Sequence, residues 1–266
     1  MKLSFVVSMQ HTTFSAAGNG DWKEIAAYIS EIGFDGIELA VKEPEKVNKA
    51  EIKEHLSRHN LKLVAIGTGQ IYHDLGLSLI DANEEVRIKT VDLIKRHIEL
   101  AANHGAKVII GLIRGRLGNQ SNKQLAYEFF KKNMISLDEY AQTEGVDLMI
   151  EPLNRYETDY LNLTEEAVGV INSCGLKNTG ILLDTFHMNI EEPNWDKSIQ
   201  IAKAYLKHIH IADSNRYCPG YGHINFSNIV KLFNAIGYEG FYSGEIYPVP
   251  DLKTAIRQYY TYMRKQ

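Results

Sequence analysis

Four side chains stand out because each is an ionisable group at the end of, or inside, a short apolar run. They are Glu151 in MIEPLNRYE, Asp184 in ILLDTFHMN, His210 in HIHIADSNR and Glu245 in YSGEIYP. An isolated charge in such surroundings is costly unless it is paired or bound to a metal. One shared cation resolves all four at once. Three carboxylates and one imidazole make a hard, oxygen-rich donor set. It suits a single divalent ion, Mn²⁺ foremost with Mg²⁺ or Co²⁺ as options, while the lack of a cysteine donor disfavours Zn²⁺. The plainer reading is four separately satisfied polar residues.

A second chemical signal is the pair Arg114 and Arg116 in LIRGRLG, with glycines that let the backbone approach a ligand. A guanidinium presents a planar fork suited to a carboxylate or phosphate. A substrate carboxylate would suit the pair, whereas a neutral hexulose leaves it without an obvious partner. The alternatives are a solvated loop or a contact between subunits.

These residues need a frame that brings them together. Runs rich in Val, Ile and Leu at 3–8, 36–40, 63–67, 108–112, 147–152, 180–184, 208–212 and 241–246 read as strands covered on both faces. Amphipathic segments at 22–32, 49–59, 84–104, 122–143, 164–172, 196–204, 226–236 and 252–264 read as helices between them. IGFDG, NHGA and IGYEG carry glycines where left-handed caps would turn a helix back toward a strand. Eight such units predict a (β/α)8 TIM barrel, and ~250 residues is the usual length of that fold. A single domain over 1–266 is therefore expected. No Gly-x-Gly-x-x-Gly follows the first strand, which argues against a dinucleotide-binding sheet. In a barrel the reactive groups project from the C-terminal strand ends, and Glu151, Asp184, His210 and Glu245 fall there on strands five to eight.

Composition narrows the function classes. Lys plus Arg number 29 against 33 Asp plus Glu, a net charge of −4, so the cationic field that nucleic acid demands is missing. No apolar run approaches the ~20 residues of a membrane span. The N-terminal MKLSFVVSMQH reads as a strand rather than a signal peptide. Cys174 and Cys218 are the only cysteines, which points to a reducing, cytoplasmic setting.

Longer blocks carry a family resemblance. GTGQ at 67–70, VIIGLIRGR at 108–116, IEPLNRYETD at 150–159, DTFHMNIEE at 184–192 and HIADSNRYCPGYGH at 210–223 run along most of the chain. The sequence resembles the xylose isomerase-like barrels and, within them, the ketose 3-epimerase group. The similarity is strongest to the bacterial branch that interconverts 5-keto-L-gluconate and D-tagaturonate. The resemblance implies a metal held by Glu151, Asp184, His210 and Glu245, with Glu151 and Glu245 also transferring protons. It implies substrate contacts from Glu157, His187 and Arg216, and a homo-oligomer, dimer or tetramer. The chemistry fits independently: inverting a carbon beside a ketone takes two acid/base groups on opposite faces of a planar enediolate. The expected partner is a small keto-sugar or keto-sugar acid. Read from the residues alone, Glu157 could instead pair with Arg155, His187 could be a packed core histidine, and Arg216 could neutralise Asp213.

Other positions are secondary. Glu38 in GIELA could border the site or be structural; Tyr72 and His73 could cover the pocket, and the PGYGH turn with His223 could close over the metal. His104 and His208 read as packing or surface residues. The same enediolate chemistry also serves aldose–ketose isomerases, inosose-type dehydratases and epimerases of neutral ketoses. A multi-zinc nuclease needs more histidine ligands and a basic face, and a non-catalytic sugar-binding barrel is the remaining alternative.

Overall fold

Strand formation follows the apolar runs. The computed structural model describes residues 1–266. Its elements are β1 Lys2–Ser8, α1 Trp22–Ile32, β2 Gly36–Ala40, α2 Lys49–Arg58, β3 Lys62–Gly67, α3 Gly69–Leu75, α4 Glu84–Ala102, β4 Lys107–Ile110, α5 Lys123–Glu144, β5 Leu148–Ile150, α6 Thr164–Cys174, β6 Thr179–Asp184, α7 Thr185–Glu191, α8 Trp195–Ala202, β7 Leu206–Ile211, α9 Phe226–Ala235, β8 Phe241–Gly244 and α10 Leu252–Met263. The eight strands pair in parallel and in sequence order, and β8 closes on β1, giving the expected (β/α)8 barrel.

Side-chain alternation builds two layers. Ile37, Leu39, Val108, Ile110, Leu148, Ile150, Ile181, Leu183, Ile209 and Ile211 join the large core between strands and helices. Alternate positions face the barrel axis, where Ala65, Ile109, Met149 and Leu182 form a separate small cluster. The same alternation turns Glu38, His208, His210 and Ser243 inward. Each helix buries one stripe, as in α1, where Trp22, Ile25, Ala26 and Ile29 are buried and the Asp21 carboxylate accepts from the Lys23 N–H at 2.8 Å. The caps read from glycine also form: Gly33 and Gly237 have φ of 105° and 77°.

Three of the expected strands, the fourth, fifth and eighth, are shorter than their apolar runs, and this shapes the site. The fourth stops at Ile110, and Leu112–Arg114 make a 3₁₀ turn. A Cβ at Gly111 would lie 2.7 Å from the Glu151 Oε2, so any larger residue there would push that carboxylate aside. The eighth stops at Gly244, although the Glu245 N–H still donates to the Ile211 carbonyl at 3.3 Å. The Glu151 N–H likewise donates to the Ile110 carbonyl at 3.2 Å. Each glutamate thus stands one residue beyond its strand on a fixed backbone.

Candidate metal centre and substrate pocket

The four candidate ligands meet at the C-terminal mouth of the barrel. Asp184 and His210 are register partners on β6 and β7, and Glu151 and Glu245 follow β5 and β8. One ligand atom from each lies within 4.8 Å of the others. His210 Nδ1 is central: it lies 3.6 Å from Glu151 Oε1, 3.7 Å from Glu245 Oε2 and 4.0 Å from Asp184 Oδ2. All four residues are buried.

Hydrogen bonding leaves the inward atoms bare. Glu151 Oε1, Asp184 Oδ2 and His210 Nδ1 are buried without partners, while the remaining atoms of Asp184 and His210 are occupied. Asp184 Oδ1 accepts from the Phe186 N–H at 2.7 Å, where it caps α7. His210 Nε2 faces the Glu38 carboxylate at 3.0 Å and 3.1 Å. Buried polar atoms are normally satisfied, so three converging orphans mark these residues as a candidate coordination set. A hard divalent cation fits these donors.

The electrostatics agree. Burial, then the charge of Glu245, pushes the Asp184 carboxyl up to about 7. Burial also raises Glu151. It works the same way on Glu245, but the Arg216 guanidinium and His210 outweigh it and hold that carboxyl below its ordinary value. For His210, burial opposes protonation, yet Glu38 and Glu245 raise the imidazole well above its usual range. An incoming cation must displace those protons, so its affinity falls in acid.

Around this centre sit the residues expected to contact substrate. Arg216, at φ 62°, donates from Nη1 to Glu157 Oε1 and from Nη2 to Glu245 Oε2, both at 2.7 Å, and lies over the Phe186 ring at 5.0 Å. Its partners are thus Glu157 and Glu245, while Asp213 accepts backbone N–H groups of Ser214 and Gly220 at 2.8 Å. Arg155 pairs with Glu191 and not with Glu157. His187 accepts at Nδ1 from the Asn154 side chain at 2.7 Å, so its proton sits on Nε2. That Nε2 is buried and unpartnered, 3.7 Å from Asp184 Oδ2. Burial, reinforced by the Arg216 and His210 charges, pushes the imidazole far below its usual range, so it is neutral.

Arg114 is a correction. The pair expected to clamp a carboxylate does not form, because the 3₁₀ turn directs Arg114 into the protein, fully buried. Its Nη1 donates to the Glu151 carbonyl at 2.6 Å and the Gly111 carbonyl at 3.2 Å. Its Nη2 donates to the Leu161 and Tyr160 carbonyls at 3.2 Å and 3.4 Å. It braces the chain that carries Glu151 and does not line the pocket. Arg116 remains half-buried in an outer chamber with Tyr72, His73, Tyr156 and Tyr247, and Nη1 donates to the Tyr156 carbonyl at 3.2 Å. The inner pocket and this chamber share Phe14, Leu112, Glu157 and Arg216. Tyr72 and His73 therefore flank the outer chamber as expected. The PGYGH turn lines neither, and His223 is exposed.

Sequence reasoning gave little weight to Glu38 and His208. Both are buried and bonded to one another at 2.9 Å. Asn154, which orients His187, went unremarked. The i,i+2 spacing of His208 and His210 on one strand was the available signal for a shared inward face.

A family model described as xylose isomerase-like TIM barrel matches residues 26–266. The 3-dehydro-D-guloside 4-epimerase of Escherichia coli (strain K12) is 31% identical over 229 residues, 82% of this chain and 85% of that protein. The L-ribulose 3-epimerase of Methylomonas sp. (strain DH-1) is 27% identical over 256 residues, 90% of this chain and 84% of that protein. The crystal structure of the E. coli 3-keto-D-glucoside 4-epimerase, apo form, superposes with a TM-score of 0.84 at 26% identity, covering 100% of both chains.

Proposed function

Since this chain belongs to the xylose isomerase-like TIM barrel family and is a carbohydrate epimerase, we propose that it inverts the carbon beside the ketone of a keto-sugar acid, interconverting 5-keto-L-gluconate and D-tagaturonate in a divalent-metal-dependent reaction. The observation that carries the proposal is the set of buried, unpartnered atoms on Glu151, Asp184 and His210, with Glu245 beside them. These four residues would hold Mn²⁺, or Mg²⁺ or Co²⁺ in its stead. When bound, such an ion supplies Lewis-acid stabilisation of the negative charge that develops on the ketone oxygen.

The protein's own groups then divide the work. Glu151 and Glu245 follow strands separated by β6 and β7 and lie 3.6 Å and 3.7 Å from His210 Nδ1. One removes the proton from the carbon and the other delivers a proton to the opposite face of the planar enediolate. Arg216 keeps Glu245 ionised, which suits it to act as base. His187 offers its Nε2–H to an oxygen next to the reacting carbon, and Glu157 with Arg216 binds further hydroxyls. Burial of the mouth excludes water from the charged intermediate.

With Arg114 withdrawn, the acid preference rests on Arg116, which lines the outer chamber and whose guanidinium suits a carboxylate at the far end of the sugar. The second reading, a neutral ketose, is favoured by that same withdrawal. We extend the proposal to a cytoplasmic dimer or tetramer, supported by two unpaired cysteines and by the family resemblance. Incubation of Mn²⁺-loaded protein with uronates, ketohexoses and inososes in D₂O, read by NMR, tests the proposal. Deuterium at one carbon beside an unmoved carbonyl is expected. An aldose or a dehydrated product overturns it, and turnover of neutral ketoses alone selects the second reading.

A further inference from the structure

Glu38 lies on the strand opposite in sequence to the site's own strands, yet its carboxylate reaches the back of the central histidine. We propose that Glu38 is a positioning residue that fixes the ring orientation and tautomer of His210, so that Nδ1 is the nitrogen offered to the metal. The inference rests on the metal-dependent reading above.

Ile37 and Leu39 join the core outside the barrel, so Glu38 between them points to the axis. There it meets three donors. His210 Nε2 lies 3.0 Å and 3.1 Å from its two oxygens, His208 Nε2 lies 2.9 Å from Oε2, and the Ser243 hydroxyl donates to Oε2 at 3.3 Å. An ionised carboxylate only accepts, so both imidazoles must carry their proton on Nε2 toward it. For neutral His210 this leaves the lone pair on Nδ1, the unpartnered atom between Glu151, Asp184 and Glu245. Without Glu38, either nitrogen could carry the proton and the ring could turn.

The carboxylate is itself held. His208 and His210 stand two residues apart on β7 with ring centroids 5.3 Å apart and planes at 82°, while Ser243 comes from β8. Two strands therefore converge on the carboxylate that β2 supplies, and glutamine cannot replace it. Its amide offers one accepting oxygen, and its NH₂ would oppose the other ring's N–H. A ring that moved its proton to Nδ1 would relieve this, and in His210 that is the nitrogen that must be bare. Outer partners of this kind typically change metal affinity about 10–100-fold. The trio Glu38, His208 and His210 could also group around a cation of its own, which the experiment must count.

The test is calorimetric titration of Mn²⁺ into chelator-treated full-length protein, wild type and Glu38→Gln, with folding checked by circular dichroism. A second readout is the histidine ring ¹⁵N spectrum of the Mg²⁺-loaded proteins, in which His210→Gln identifies the His210 signals. Wild type should bind one ion with the His210 proton on Nε2. The folded variant should bind about 10–100-fold more weakly and lose that fixed tautomer. Should Glu38→Gln not fold, Glu38→Asp, whose carboxylate is drawn back by one bond, should show the same weakening. Wild-type affinity and an unchanged His210 proton in a folded variant overturn the proposal. So do two ions in the wild type with one lost in the variant, since Glu38 would then be a ligand. Failure of the wild type to bind any ion refutes the underlying metal reading instead.

Discussion

Replacing Arg114 by methionine separates the two roles its sequence context offers. The guanidinium is fully buried and gives its best bonds to the Glu151 carbonyl at 2.6 Å and the Leu161 carbonyl at 3.2 Å. Methionine fills much of the same volume but donates nothing, so both carbonyls lose an ionic donor. Hydrogen bonds to charged groups contribute about 1.5–3 kcal/mol each, which sets the loss at about 3–6 kcal/mol. Release of a buried guanidinium from its desolvation cost moves the result to the lower end. At about 2–4 °C per kcal/mol for a chain of this size, a 3 kcal/mol loss lowers the melting temperature by roughly 6–12 °C. Thermal unfolding followed by circular dichroism measures it, alongside steady-state kinetics on a uronate and a ketohexose. Both substrates should suffer alike, because the displaced group is the backbone of Glu151. An unchanged melting temperature with a selective loss of affinity for the uronate would show that the guanidinium reaches substrate, and would refute the brace.

Arg116→Ala should leave stability within about 0.5 kcal/mol, as for a surface change, and raise KM for a keto-acid about tenfold relative to a neutral ketose, the loss of one charged bond. Equal changes for both substrates remove the carboxylate contact. Glu151→Gln and Glu245→Gln should each cut solvent-deuterium incorporation by about 10²–10⁴-fold, the range for a lost acid/base group; near-normal exchange in either variant strikes that residue from the proton relay. Asp184 offers a pH test. Its folded value of about 7 lies above the ordinary 3.8, so the metal-free fold keeps a proton that the unfolded chain has already released. Stability from this group is therefore lost as pH rises between about 4 and 7. Metal-free Asp184→Asn, which does not titrate there and keeps the Oδ1 acceptor for Phe186, should gain on wild type across that window in urea unfolding. A constant difference contradicts the burial argument.

The barrel and the meeting of four candidate ligands at its mouth were legible because strand ends are where polar residues interrupt apolar runs. Glu151, Asp184, His210 and Glu245 each break such a run, and the register of β6 and β7 then pairs Asp184 with His210. What stayed hidden depended on direction. Arg114 and Arg116 are two residues apart in a glycine-containing loop, and nothing in their types reveals that a 3₁₀ turn sends one inward and leaves the other at the rim. The short helices α3 and α7 were missed because each starts within two residues of a strand end and spans only seven residues, too few for a helical period to register. Asp184 shows why: it serves as the last residue of β6 and as the cap of α7. Glu38 was ambiguous because one carboxylate inside a five-residue strand gives no hint of what lies across the barrel.

Glu151, Asp184, His210 and Glu245 together are proposed to hold a single cation. Anomalous diffraction at the manganese edge from crystals grown with Mn²⁺ tests it most directly. One peak within bonding distance of Glu151, Asp184 Oδ2, His210 Nδ1 and Glu245 is the predicted result. An empty mouth, or a peak held instead between Glu38 and His208, contradicts the account.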